Sequence, residues 1–485
     1  MPIFAIVDNV DKLDEELSVY AIDCALKQGA SYADNRLERR YHESITVMSR
    51  EVKRAFVCRK TGIGVRVLVD GAWGFQSTTD LTRDGINDAV NIAVHAARAC
   101  AKRIVTPVKL AETKAHVDSY SIKTKLDIED ICPEDKITEI KESEKYIHTP
   151  KNIVRTMLDY TGIKISKLFV NSEGARIHCK NSVLFVDLKG EASNGGVTRS
   201  YSQSIGGTGG YELIREGNIP KRCEEVGSKA DNLLKASSAR EEKDVMVVLD
   251  PSYVQVLVHE ICGHASEADR ILGREVAWGG ASWWVGQVGK KIGSDLMTVY
   301  DDPTIPGTLG HYLYDDEGVK ARRKVLVEGG VVKEYIQSRE TAAIFDVEAN
   351  AGMRAITYED VPLMRMSNTF FASGDWTVEE MIDDIKHGYL VSASGNMTID
   401  DIRHSWAAGA YEAYEIKNGE LSTPICNITL TSTAPKFFQT IDAASKTHEI
   451  LPWPGGCGKG DPQQRLYVGN GGPHLRAVVD ILGVK

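Results

Sequence analysis

The sequence predicts an α+β fold in two parts. Residues 1–240 are expected to form an antiparallel sheet with packed helices, and residues 241–485 a sheet-rich, barrel- or sandwich-like domain. Three observations predict it. The chain has 485 residues, about three times the ~150 residues expected of one domain. Its first half alternates helix-periodic segments with β-branched runs joined by short turns, an order that suits antiparallel pairing rather than βαβ units. Its second half, from the apolar run DVMVVLDP onward, alternates strand-like segments with glycine turns.

Residues 11–28 place Leu13, Leu17, Tyr20, Ala21, Cys24 and Ala25 on one helical face, with Gly29 set to end the helix. Residues 32–38 and 43–48 alternate as strands, and 62–69 (GIGVRVLV) form a third that ends in the turn Asp70-Gly71. A cap within 78–80 opens a helix to about residue 103, carrying Ile86, Ala89, Val90, Ala93, Ala96 and Ala97. Residues 104–135 read as an irregular connection and 134–148 as a helix. Strands follow at 153–159, 164–170, 175–179 and 183–190. The Gly/Ser-rich stretch 194–210 lacks the Lys-Ser/Thr ending of a phosphate-binding loop and reads as a flexible turn. A helix at 226–236 leads to a boundary near 237–243. Beyond it, strands are expected at 296–301, 322–328, 331–337, 410–417 and 425–431, and short helices at 253–264 and 377–387.

Composition narrows the function. Hydrophobic residues make up 42% and charged residues 26%, the balance of a folded globular chain. The 58 Lys+Arg against 68 Asp+Glu leave a formal net charge of −10, which argues against nucleic acid as a partner. No uncharged apolar stretch reaches the ~18 residues of a membrane span. The first residues meet acids almost at once and lack the order of a signal peptide, so a cytoplasmic location is expected. The nine cysteines, at 24, 58, 100, 132, 179, 223, 262, 426 and 457, are scattered and form no CxxC pair. They read as reduced thiols, not a disulfide framework.

Chemistry concentrates in residues 254–270, VQVLVHEICGHASEADR. His259-Glu260 is followed by His264, five residues after the first histidine. In HExxH the histidines stand four apart, so a regular helix brings both to one metal. Five steps of roughly 100° turn the second side chain about 140° away. Two ligands on one ion therefore require a wider turn, such as a π-bulge, or an unwound helix end, and Gly263 makes such a distortion cheap. Taken alone, His259 also fits a core histidine and Glu260 a solvated helix acid.

Four further blocks accompany this run in order: GIGVRVLVDGAWGFQST, Tyr314–Gly318 (YDDEG), Pro362–Asn368 (PLMRMSN) and Gly456–Gly460 (GCGKG). Together they resemble the TldD/PmbA family of metallopeptidases, and the intact HEICGH resembles its TldD-like branch. The resemblance implies one zinc per active site, bound by His259, His264 and Cys457. Two imidazoles and a thiolate with one open position are the donor set of a catalytic zinc. Glu260 is then the expected general base, taking a proton from the attacking water and passing it to the leaving amine. The resemblance also implies unfolded polypeptides or small peptide precursors as substrates, hydrolysed inside an oligomeric chamber. That chamber is either a homodimer or a heterodimer with a PmbA-like chain.

The resemblance places Arg365 and Asn368 near that centre, either to hold substrate backbone or to serve strand packing and turns. Asp315 and Asp316, with Glu317, are expected to orient ligands or line the substrate channel, or to form a solvated turn. Glu267 and Asp269 are alternative third ligands. His311 is a candidate oxyanion stabiliser or an ordinary turn histidine. Two other functions fit the same residues: a non-catalytic peptide-binding or assembly subunit, and a zinc amidase acting on a non-peptide bond.

Overall fold

The structure, a computed structural model, describes residues 13–275 and 280–483. The reading of the first residues as lacking a leader, and the first two positions of the expected 11–28 helix, lie outside them. Helix α1 spans Glu15–Lys27, where the Asp14 side chain accepts a hydrogen bond from Leu17 N and Ala21, Ile22, Cys24 and Ala25 are buried. Strands β1 (Tyr32–Met48), β2 (Glu51–Val69) and β3 (Ala72–Thr78) follow, then helix α2 (Arg83–Ala101). Thr82 rather than residues 78–80 caps α2, accepting from Gly85 N. Within the expected irregular connection lies β4, Val117–Ser121. Two long strands, β5 (Ile153–Asn171) and β6 (Arg176–Asn194), each merge two segments expected to be separate.

These strands form one sheet in the order β3-β2-β1-β5-β6. Two partners share the outer edge of β6: β4 lies parallel to residues 176–180, and β7 (Val197–Thr208) lies antiparallel to 183–194. The flexible-turn reading of 194–210 is therefore corrected. Only Gly195 and Gly196 turn, with φ 58° and 82°, as a two-residue hairpin needs. The later glycines serve close approach, since a Cβ on Gly207 would meet the Gly307 carbonyl oxygen at 1.9 Å.

Asp159 and Asp187 face each other across the β5–β6 ladder, and burial pushes the Asp187 carboxyl up to about 6. An unfolded aspartate titrates near 3.9, so the folded state is disfavoured progressively as pH rises from about 4 through 6. Asp187→Asn is expected to gain up to about 2 kcal/mol near pH 8 and almost nothing near pH 3.5. Urea denaturation at the two pH values checks this.

Among the described residues the second sheet has twelve strands. Five of them close a ring: Glu242–Leu249 pairs with His387–Ile399, which pairs with Ser405–Lys417, then Ile428–Thr433, then Gln464–Leu482, which returns to Glu242–Leu249. Of the two expected forms, the pairing is that of a closed barrel, which leaves no free edge within the ring. The short helix Pro251–Leu257 buries Tyr253, Val254 and Leu257 in the same apolar cluster as ring residues Val247, Leu249, Leu475 and Ala477. Outside the ring, Ala443–Lys459 lies antiparallel on Gln464–Leu482, and Asn368–Phe371 lies parallel to it.

Charged side chains join the first sheet to the second half of the chain. Arg66 meets Asp34 at 2.5 Å and Glu317 at 3.3 Å, Lys167 meets Asp316 at 2.5 Å, and Arg339 meets Glu173 at 2.7 Å. Arg40 donates to the Ile356 carbonyl at 2.7 Å. In this way the first sheet is docked on the YDDEG block and the segment that follows it.

Candidate metal centre

The helix Pro251–Leu257 starts where the sequence supplies a cap. Asp250 Oδ1 accepts from Tyr253 N at 3.0 Å, and proline opens the first turn. It does not continue as an α-helix. Val258–Gly263 forms a π-helical turn in which His264 N–H donates to the His259 carbonyl, five residues back. This is the wider turn that the five-residue spacing requires. The two imidazoles come to the same side, with ring centroids 4.8 Å apart and planes at 89°. Gly263 serves space here, because a Cβ would stand 2.8 Å from the Met366 side chain.

The third donor arrives from a break in a strand. Along Ala443–Lys459, Trp453 opposes Val468 and Cys457 opposes Leu466, so two extra residues bulge between them. Gly456 takes φ 72° in the bulge, a left-handed conformation that favours glycine. Cys457 Sγ comes to 3.1 Å from His264 Nε2, and the donor atoms of His259, His264 and Cys457 all lie within 4.8 Å of one another. That is the scale of one first-row ion's coordination sphere, whose bonds run about 2.0–2.3 Å. All three residues are buried.

Electrostatics match this donor set. Burial raises the Cys457 thiol, but His264, His259 and Arg365 together hold it well below its ordinary range. Burial likewise opposes charge on His259, and the adjacent Cys457 more than offsets it, raising the imidazole to about 8. A buried thiolate between two imidazoles fits zinc.

The surrounding residues orient the donors. His264 Nδ1 lies 2.9 Å from Glu267 Oε2, which leaves Nε2 toward Cys457. Glu267 also meets Lys459 at 2.9 Å and Arg270 at 3.1 Å. Despite full burial, Lys459 and His264 hold its carboxyl well below the usual range. Asp269 meets the same Lys459 at 2.8 Å. Glu267 thus stands behind His264 and Asp269 behind Lys459, neither of them in the cluster of donor atoms. The Trp453 ring stacks on His259 at 4.9 Å and 12°.

Beside the donors opens a cavity of about 450 Å³, lined by His259, Glu260, His264, Arg403, Trp453 and Cys457. Glu260 reaches it half-buried, with Oε2 2.7 Å from Arg403 Nη1. Arg403 sits in the turn between two ring strands, itself at φ 64°, an uncommon conformation for a side-chain-bearing residue. The Asp400 carboxylate accepts from His404 N and Ser405 N and fixes that turn.

The structure does not bring the other expected residues to this cavity. Arg365 is fully buried and donates to the carbonyls of Gln464 and Cys457, so it braces the cysteine from behind. Asn368 is fully buried, donating to the Asp302 carbonyl at 2.8 Å and accepting from Gly310 N at 3.1 Å. Asp315 and Asp316 line a separate cavity of about 110 Å³ between β5, β6 and the second sheet. Asp315 accepts from the backbone of Glu317, Val319 and Met353, and burial with the neighbouring Glu317 pushes it up to about 7. Asp316 accepts from Lys167 and Ala355 N. His311 lines this second cavity too, with Nδ1 2.8 Å from the Pro303 carbonyl oxygen.

Residues 242–480 match the PmbA/TldA metallopeptidase C-terminal domain, and residues 33–97 match domain 1 of the same family. A metalloprotease of Methanocaldococcus jannaschii is 31% identical over 98% of this chain and 99% of its own. A zinc metalloprotease TldD homolog of Saccharolobus solfataricus is 27% identical over 92% of this chain and 95% of its own. TldE of Thermococcus kodakarensis superposes with TM-score 0.75 at 19% identity, covering 96% of this chain and all of that one. A Thermotoga maritima structure gives TM-score 0.77 at 17% identity over 96% of this chain. At these identities the two solved structures speak for the fold.

Proposed function

The chain belongs to the PmbA/TldD metallopeptidase family, and from that premise we propose that it is a zinc peptidase hydrolysing unfolded polypeptides or small peptide precursors. The observation that carries this reading is the buried His259–His264–Cys457 cluster with Glu260 beside it on one cavity. When bound there, zinc supplies a Lewis acid that polarises a scissile carbonyl and makes water a nucleophile near neutral pH.

The chain's own residues do the rest. Glu260 takes the proton of the attacking water and delivers it to the leaving amine. Arg403 holds Glu260 at 2.7 Å and, once that carboxylate is neutralised by the proton, offers its guanidinium to the developing oxyanion. Trp453 covers His259 and shields that face from water. Arg365 and the Lys459–Glu267 pair keep Cys457 and His264 in place. The division near residue 240 gives an N-terminal domain that docks on a C-terminal catalytic one. A homodimer, or a heterodimer with a PmbA-like chain, encloses the cavity in the cytoplasm.

The test is proteolysis of unfolded casein by the purified full-length protein. Cleavage is expected, lost on treatment with a zinc chelator and restored by added zinc. A zinc-loaded protein that cleaves no unfolded substrate contradicts the reading.

A further inference from the structure

The second cavity adjoins the metal-side one. Arg465 lines both. In the strand ladder Cys457 opposes Leu466 and Gly458 opposes Arg465, so the wall of the second cavity starts one strand spacing from the metal cluster, about 5 Å between backbones. Its lining is cationic in excess: Arg40, Lys167, Arg354 and Arg465 against Asp315 and Asp316. Lys167 is matched by Asp316, and Arg40 has Glu38 at 3.7 Å. Arg354 and Arg465 make no ion pair among the described residues. Arg354 donates to the carbonyls of Met366 and Tyr467, and Arg465 Nε donates to Gln463 Oε1. Asn181, on the same wall, carries a buried amide oxygen without a partner. The volume, about 110 Å³, suits a group of a few heavy atoms rather than a whole residue chain.

We propose that this cavity is a subsite for a carboxylate of the peptide substrate, received by Arg354 and Arg465 beside the metal centre. The proposal rests on the peptidase reading. An extended peptide advances about 3.3 Å per residue, so the carboxylate belongs within about two to four residues of the cleaved bond. Two sources share this chemistry: the C-terminal carboxylate of a short peptide and an acidic side chain. A guanidinium–carboxylate contact is charge-assisted and bidentate in its best geometry. Removing the negative charge should lower kcat/KM about 10- to 100-fold, with most of the change in KM.

The experiment uses the full-length zinc-loaded protein and internally quenched peptides of one neutral sequence in three forms. One has an amidated C-terminus, one a free C-terminus, and one an amidated C-terminus with a single glutamate moved through the positions flanking the cleaved bond. One acidic form is expected to be preferred, and which one identifies the source. Arg465→Gln should shrink the preference ratio, and because Arg465 is exposed this variant does not threaten the fold. Arg354→Gln is the half-buried counterpart. Equilibrium binding of the same peptides to Glu260→Gln reads the ratio without turnover. Absence of hydrolysis by the wild type therefore counts against the peptidase reading alone. Equal Kd for acidic and neutral forms, or a preference that survives Arg465→Gln, overturns the carboxylate subsite.

Discussion

Replacing Glu260 by glutamine is expected to lower kcat on unfolded casein by about 10²- to 10⁴-fold while zinc content stays at the wild-type level. Glutamine keeps the shape of the side chain and one oxygen for Arg403, which now lies 2.7 Å from Glu260 Oε2. It cannot accept the proton of the attacking water or return one to the leaving amine. Glu260 is absent from the cluster of donor atoms, so metal affinity should not follow the loss of rate. KM should change little, because the carboxylate acts on the proton in flight rather than on the resting peptide. A variant as active as the wild type removes Glu260 from the mechanism. A variant that loses zinc in parallel makes it a ligand instead.

Cys457→Ser should abolish stoichiometric zinc. Loss of groups that merely orient a ligand typically lowers metal affinity 10- to 100-fold, and losing the thiolate itself should exceed that. A serine hydroxyl is a poor zinc donor, and here it would also leave His259, His264 and Arg365 without the negative charge they surround. Thermal unfolding gives a readout independent of activity. At 100 times Kd a bound ligand adds about 2.7 kcal/mol to stability, so zinc should raise the Tm of the wild type and leave the variant almost unmoved. Undiminished zinc in Cys457→Ser would reassign the third position, with Glu267 the nearest acid behind His264.

The parts of this site that the sequence makes legible are those whose spacing is local. Two histidines five apart demand a wide turn on geometric grounds, and the π-helical turn at Val258–Gly263 is that turn. Cys457 lies 193 residues from His264, and nothing in local pattern joins them. Only the GCGKG block pointed to it. Lys459 stood within that block, but its role depends on Glu267 and Asp269, which meet it only after folding. Arg403 gave no signal, since DDIRH reads like any polar turn and its partner Glu260 lies 143 residues earlier.

The fold divides in the same way. The helices α1 and α2 follow from apolar periodicity and side-chain caps. The strand β1 reads as broken because Arg39 and Arg40 interrupt its apolar alternation, and β5 because Thr161 and Gly162 fall between its two apolar segments. Arg40 finds its partner 316 residues away and Lys167 finds one 149 away. In β7, continuous pairing with residues 183–194 of β6 overrides a Gly/Ser composition that favours a turn.

X-ray absorption at the zinc edge of the zinc-loaded wild-type protein tests the His259–His264–Cys457 centre most directly. One sulfur is expected at about 2.3 Å and nitrogen or oxygen neighbours at about 2.0–2.1 Å, four donors in all. A first shell without sulfur, or one with several sulfurs, would contradict a centre built from His259, His264 and Cys457.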